Sequence, residues 1–457
     1  MNRIAGRAGI ALLLALLLVA GTVFFTVEYV MHAEEWVVFS GSPHLYYGTN
    51  LGCGVVTDRN GVLIMDLRGG RQYSPDLALR MSTLHWVGDR KGSIYAPALA
   101  NYAANLAGFD IVNGVYSYGL TSGEAKLTLI SQAQVAALTA LGDKKGTVAV
   151  YNYKTGEILC AVTTPSYDPD NIPDIAGDTT DQYEGVYLNR FTQSSYIPGS
   201  IFKIVTLAAA LESITDIREQ TFYCDGYYTV GDEKITCEGV HKKQTLQEAF
   251  QNSCNCAFAE IALQLGGETL QRYADQFGIT EPVTFDGITT ASGNFEAKDA
   301  QGVNLAWSAI GQYTDQINPC RFMTFMGAIA AGGKGVTPYL VDEISVGIGK
   351  TYSSKTQSED RILSSSTAKQ LQEYLKNVMT YLYGTERFSG LTVCAKTGTG
   401  QVGGDKKPNA MLAGFVADDE YPFAFIVAVE NAGYGGQVCT PILESVLEAC
   451  KSVMDAE

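Results

Sequence analysis

Residues 8–27 run without a charge and are dense in Leu, Ala and Val. Those 20 residues, at about 1.5 Å rise each, reach roughly 30 Å, the thickness of a bilayer's hydrocarbon core. Arg3 and Arg7 precede the run, and Glu28, Glu34 and Glu35 follow it. The positive-inside bias therefore predicts a transmembrane helix over 8–27, with 1–7 cytoplasmic and the rest of the chain on the outer side of the membrane. A cleaved signal peptide is the alternative, but the run exceeds the usual apolar core of such a leader and no small-x-small site follows it. No second apolar span appears later in the sequence.

Over 28–124 the pattern is mixed: short apolar runs such as 62–65 are interrupted by Gly and by Asp58-Arg59-Asn60-Gly61, a turn sequence. We read this stretch as a small accessory region. From 125 to 457 the periodicities strengthen. Helical spacing over 127–141 is followed by two strand-like runs, 147–153 and 158–163, joined by Lys154-Thr155-Gly156, which predicts a β-hairpin. Residues 200–214 are apolar almost all round, the mark of a helix buried in a large domain, with Pro198 and Gly199 just before it. A second helix is predicted over 245–265, opened by the capping-box pattern Thr245-Leu246-Gln247-Glu248. Runs at 392–397, 410–416 and 423–430 predict a strand meander closed by a helix from Thr440-Pro441. Helices grouped between two strand-rich ends predict an α+β domain with an antiparallel sheet.

Composition narrows the function classes. With 457 residues, 46% hydrophobic and 18% charged, the chain can bury a large core. Thirty-two Lys and Arg against 48 Asp and Glu leave a net charge of −16, which argues against a nucleic-acid partner. Ten cysteines in an exported domain permit disulfides. Cys224 and Cys237 bracket a segment with turn glycines at 226 and 231, so they are a candidate disulfide clipping a hairpin. No matching second CxxC or His pair accompanies Cys254 and Cys256, and the four histidines, His32, His44, His85 and His241, are scattered. Neither a metal site nor a cofactor is expected.

Three short motifs carry chemistry. Ser200-Ile-Phe-Lys203 sets a hydroxyl at a helix N-terminus and an amine three residues on, on the same face. A serine needs a base, and an amine serves as one when burial lowers its pKa, as the apolar helix around Lys203 would do. A second copy, Ser366-Thr-Ala-Lys369, follows Ser364 and Ser365 and reads as a plain helix cap. Ser253-Cys254-Asn255 is a polar interruption between Phe250 and Ala257-Phe258, where buried hydroxyl and amide groups need partners and suit proton relay and amide binding. Lys396-Thr397-Gly398-Thr399 ends a strand. There a lysine and hydroxyls suit a carboxylate, and Gly398 leaves room for a ligand lying along the strand edge. Lys154-Thr155-Gly156 repeats the tripeptide in a turn, and Ser292-Gly-Asn294 imitates the second motif in another.

The order Ser200-x-x-Lys203, Ser253-x-Asn255, Lys396-Thr397-Gly398 resembles the penicillin-binding transpeptidases and their serine β-lactamase relatives. Further landmarks, among them Asp58 to Gly61, Asn189-Arg190, Ile310-Gly-Gln312 and Ala413-Gly-Phe415, extend the resemblance over roughly 52–440. The resemblance implies a monofunctional, class B type enzyme that cross-links peptidoglycan stem peptides through a Ser200 acyl-enzyme and is trapped by β-lactams. It implies Lys203 as general base, Ser253 as relay to the leaving amine and Asn255 as holder of the substrate amide. Lys396, Thr397 and Thr399 would bind the terminal carboxylate, with the Ser200 and Thr399 N–H groups as oxyanion hole. A membrane glycan polymerase is an implied partner. The competing readings are a D,D-carboxypeptidase or β-lactamase, which would need its own water-activating base, and a non-catalytic β-lactam sensor.

Overall fold

The computed structural model describes residues 2–39, 46–47, 50–52, 54–68, 70–109, 111, 123–347 and 349–456. The other parts of the expected accessory region, above all 40–45 and 112–122, lie outside the described residues.

The main sheet has five antiparallel strands in the order Val393–Gly400, Asn409–Val416, Phe423–Val429, Gly146–Asn152 and Ile158–Thr164. The expected hairpin and meander thus join edge to edge, pairing Phe423 with Asn152 across a long, largely helical excursion of the chain. Both faces are covered, which is why these strands are apolar at nearly every position rather than at alternate ones. On one face Val148, Leu412 and Val427 pack with Leu443 and Val446 of the helix Gly435–Met454 and with Ala133 and Ala137 of Ser131–Leu141. On the other, Ala149, Ala413 and Ile426 meet Phe322 and Met326 of Pro319–Ala330, beyond which a helical region grows around Phe250, Phe258 and Phe277.

Three boundaries differ from expectation for local reasons. The closing helix starts at Gly435, ahead of Thr440-Pro441, and carries Pro441 inside it. The stretch 127–141 divides into a strand, Glu124–Leu127, and the helix Ser131–Leu141. The helix expected over 245–265 opens with the capping box at Thr245 and then breaks into Leu246–Gln251 and Asn255–Leu265. At the break Ser253 adopts φ +53° and Cys254 is extended.

The accessory region shares a sheet with the rest of the chain. A second, six-stranded sheet runs Gly349–Ser353, Val341–Val346, Glu124–Leu127, Val55–Thr57, Leu63–Asp66, Gln72–Tyr73. The expected boundary at 124/125 falls within the strand that joins the two parts of the chain in this sheet. Side chains interlock as well. Trp86 Nε1 donates to the Ala161 carbonyl at 2.6 Å, and Asp58 accepts from the Ser131 N–H at 3.1 Å, at the start of the helix Ser131–Leu141.

The first helix runs Asn2–Val37, longer than the predicted 8–27, and its stretch Ile4–Ala33 is long and apolar enough to cross a membrane. Past the predicted span, Tyr29 Oη donates to the Ile111 carbonyl at 2.9 Å and Ala33 is buried.

Candidate active site

Ser200 lies on a single 3₁₀ turn, Gly199–Phe202, which feeds the helix Lys203–Ser213. Residues from Lys203 to Ala210 are all buried, so this helix is held by packing on every side, and its first residue is a lysine with no exposed surface. Lys203 Nζ sits 3.0 Å from Ser200 Oγ, 2.7 Å from the Ser253 carbonyl, 3.2 Å from Ser253 Oγ and 2.7 Å from Asn255 Oδ1. Lys396 Nζ, likewise buried, lies 3.0 Å from Ser253 Oγ and 3.2 Å from the Thr397 carbonyl. Ser200, Lys203, Ser253, Asn255 and Lys396, which the sequence motifs single out, therefore form one hydrogen-bonded chain in which Ser253 bridges two amines.

The break in the second helix makes this chain possible. Were 245–265 continuous, Ser253 would follow the helical screw; instead the left-handed backbone at Ser253 turns its carbonyl onto Lys203. The strain of a non-glycine residue in that region is of the kind stored at functional sites. Asn255 is fixed from its other end, Nδ2 donating to the Thr236 carbonyl at 2.8 Å.

Burial lowers the Lys203 amine to about 8. Burial, together with the positive charge of Lys203, lowers Lys396 to about 7. An amine that can shed its proton near neutrality and sits in hydrogen-bond reach of a hydroxyl is a general base in position.

Above these groups opens a cleft of about 790 Å³ lined by Ser200, Ser253, Asn255, Thr397, Gly398 and Thr399, with Gln312, Trp307 and Tyr434 among the other walls. Lys396 sits beneath this floor, so the hydroxyls of Thr397 and Thr399 are the cleft-facing groups of their strand. Gly398 is also held to glycine by the protein itself: a Cβ there would come within 2.6 Å of the Pro198 carbonyl and 3.1 Å of the Ile201 nitrogen, in the turn that carries Ser200. Gly199 is its counterpart: at φ +55°, a Cβ would lie 2.3 Å from the Thr399 carbonyl. Gln312, noted only as a landmark, ties the same place by donating to Thr399 O at 3.3 Å.

The decoys resolve as caps and turns. Ser364, rather than Ser366, caps the helix Ser365–Tyr383 by accepting from the Thr367 N–H. Lys154 pairs with Asp419 at 2.6 Å in its turn.

The cysteines depart most from expectation. Cys224 and Cys237 do flank a hairpin, Tyr227–Val230 with Glu233–Thr236, but both are free thiols, as are all described cysteines. The sulfurs of Cys224, Cys237 and Cys254 gather with His241 behind the Ser253 loop, a grouping that paired CxxC spacing does not announce because none of its members forms such a pair.

A buried lysine held against a serine at the edge of an antiparallel sheet, with a second serine and lysine completing the circuit, is the architecture of active-serine acyl transfer. The sequence profile described as the penicillin binding protein transpeptidase domain matches residues 146–448, and the chain belongs to that family. It is 29% identical over 392 residues to stage V sporulation protein D of Bacillus subtilis, covering 82% of this chain and 58% of that one. It is 29% identical over 357 residues to peptidoglycan D,D-transpeptidase PbpA of Mycolicibacterium smegmatis, covering 72% of each. Among solved structures, the ceftriaxone acyl-enzyme complex of penicillin-binding protein A from M. tuberculosis superposes with a TM-score of 0.75 at 24% identity, over 87% of this chain and 98% of that one, a likeness of fold.

Proposed function

We propose that this chain is a peptidoglycan D,D-transpeptidase whose acyl-enzyme forms on Ser200. The observation that carries the reading is the Lys203 amine, buried, shifted to about 8, and 3.0 Å from Ser200 Oγ in an open cleft. In the first step Oγ attacks the carbonyl between the two terminal D-Ala residues while its proton passes to Lys203 Nζ. The tetrahedral intermediate collapses by breaking the peptide C–N bond, and the leaving amine takes a proton from Ser253 Oγ, which is re-protonated from its neighbouring lysine. Free D-Ala departs. In the second step an amine from a neighbouring stem peptide attacks the ester, its proton returns through the same relay, and Ser200 is released. Asn255 holds the substrate amide, Thr397 and Thr399 hold the terminal carboxylate with the Lys396 charge beneath, and the Ser200 and Thr399 N–H groups receive the oxyanion. Donors aimed at developing charge are worth ~10²–10³ in rate each.

The naming of the relatives as peptidoglycan D,D-transpeptidases supports the substrate class. The apolar helix Ile4–Ala33, with arginines on its N-terminal side, supports a single-pass anchor with the catalytic part outside the cell. A fold neighbour described in a peptidoglycan synthase complex that coordinates polymerization and crosslinking supports a membrane glycan polymerase as partner.

Intact-mass spectrometry after penicillin treatment tests the reading. Wild type is expected to gain one penicillin mass, Ser200→Ala none, and Lys203→Ala to acylate slower by ~10²–10⁴-fold, the usual worth of a general base. Adduct on Ser200→Ala, or sustained turnover of nitrocefin by wild type, overturns it.

A further inference from the structure

Immediately behind Ser253 and Asn255, four ligand-type side chains converge. The sulfurs of Cys224, Cys237 and Cys254 and a ring nitrogen of His241 all lie within 4.8 Å of one another. Cys237 Sγ is 3.7 Å from His241 Nδ1 and 4.0 Å from Cys254 Sγ. A tetrahedral ion with bonds of about 2.3 Å to sulfur and about 2.1 Å to nitrogen holds its ligand atoms roughly 3.6–3.8 Å apart. The Cys237–His241 and Cys237–Cys254 separations match that shell within a few tenths of an ångström, and the remaining pairs lie within 4.8 Å.

The surroundings match a thiolate site. The Gly226 N–H points at Cys224 Sγ at 3.4 Å and the Asn255 N–H at Cys237 Sγ at 3.3 Å, the backbone donors that commonly back ligating sulfur. Cys224 and Cys254 are buried, and Cys237 and His241 are half-buried, so an ion has an entry path from the hairpin side. A fourth sulfur, Cys256 Sγ, stands 3.3 Å from Cys224 Sγ. Three soft sulfurs and one imidazole in tetrahedral reach select Zn²⁺ over the oxygen-seeking Mg²⁺ and Ca²⁺, and a full set of four protein ligands marks a structural rather than a reacting ion.

We propose that Cys224, Cys237, Cys254 and His241 form a zinc site that pins the hairpin at the rim of the cleft to the Ser253–Asn255 loop. Each ligating thiol gives its proton to solvent on binding, so three thiolates and one Zn²⁺ leave the site with a single net negative charge. Cys254 stands between the relay serine and the amide-binding asparagine, and Cys237 follows Thr236, whose carbonyl holds Asn255 Nδ2. The ion therefore cross-links both sides of the Asn255 anchor and sets the left-handed turn at Ser253 that reaches Lys203.

The test uses the full chain purified in detergent with reductant present. Elemental analysis is expected to find one zinc per chain. Cobalt exchange should give thiolate charge-transfer and tetrahedral d–d absorption bands. Cys237→Ser should weaken metal retention about 10–100-fold. His241→Ala, which leaves the three sulfurs in place, should alter the cobalt spectrum, while Cys450→Ser, a buried thiol on the far face of the main sheet, should keep full zinc content. Chelation should slow acylation by fluorescent penicillin at least about tenfold, and added Zn²⁺ should restore it. That last arm rests on the Ser200 reading; metal content and the cobalt spectrum do not, so a failure of either is told apart. Substoichiometric zinc in reduced protein, zinc retained by both ligand variants, or a mass lowered by paired hydrogens from disulfides among these cysteines overturns the proposal.

Discussion

At the residue scale, the site's chemistry turns on two lysines that fold only by giving up solvent. Both are buried and both bond to Ser253 Oγ, so Ser253 is the conduit between them. Burial first of all lowers Lys203 to about 8, and burial followed by the Lys203 charge lowers Lys396 to about 7. The sign follows directly: a lysine at its ordinary value of 10.5 would be protonated at neutral pH and useless as a base, whereas Lys203 at about 8 gives up its proton readily, and once it is neutral the charge that helps depress Lys396 is gone, so the single remaining proton can rest on Lys396 beneath the carboxylate site. The rate of Ser200 acylation by penicillin should therefore climb nearly tenfold per pH unit below about 7 and flatten near 8. Stopped-flow labelling across that range checks this, and a limb still rising steeply at about pH 9.5 would remove Lys203 from the base role. The reacting residues were legible in the sequence because each sits in a short motif and the motifs fall in a fixed order. The sulfur cluster was not, since its ligands follow no repeated spacing and only the hairpin 227–236 brings Cys224 and Cys237 back to Cys254.

At the scale of elements, the site is a joint between a turn, a broken helix and a strand. Periodicity located the helices Lys203–Ser213 and Asn255–Leu265 and the strand Val393–Gly400, but it could not place the break at Ser253, because no glycine or proline marks it. Nor could it show that contact between elements also demands glycine at 398: the strand lies so close to the turn carrying Ser200 that a Cβ at 398 meets the Pro198 carbonyl at 2.6 Å. Gly398→Ala should force the two apart. The cost in stability is expected at about 1–3 kcal/mol, as for other overpacking, with acylation falling about 10²-fold because a shift near 1 Å misaligns the hydroxyl. Thermal unfolding and penicillin labelling of the same sample separate the two effects. Unchanged labelling at unchanged Tm would mean that the strand and turn have room between them.

At the scale of the whole molecule, the main lesson concerns where the chain can be cut. Composition and periodicity change near residue 125, where the accessory region gives way to the catalytic part, yet hydrogen bonding runs across that change. The strand Glu124–Leu127 pairs in parallel with Val55–Thr57 and antiparallel with Val341–Val346, a long-range register that no local pattern announces. Residues before it also complete the core of the catalytic part: Trp86 reaches the Ala161 carbonyl, Gln134 bonds both Ser82 O and the Ala161 N–H, and Arg80 pairs with Asp168 at 2.7 Å. Removing 2–124 would bare Leu127, Ala161 and Phe191 to water and leave 125–127 as an open edge, a site for aggregation. The fragment 125–457 is therefore expected to be insoluble or unlabelled by fluorescent penicillin. Removing only 2–37 deletes the apolar helix, whose contact with the remainder includes the Tyr29 bond to Ile111, and spares both sheets. That shorter truncation should move the labelled protein from the membrane pellet to the soluble fraction with acylation within about twofold of wild type, since surface changes away from packed features cost little. Expressing the two side by side sets the inner limit of the folding unit, and a soluble, acylating 125–457 fragment would show that the six-stranded sheet is dispensable to the site.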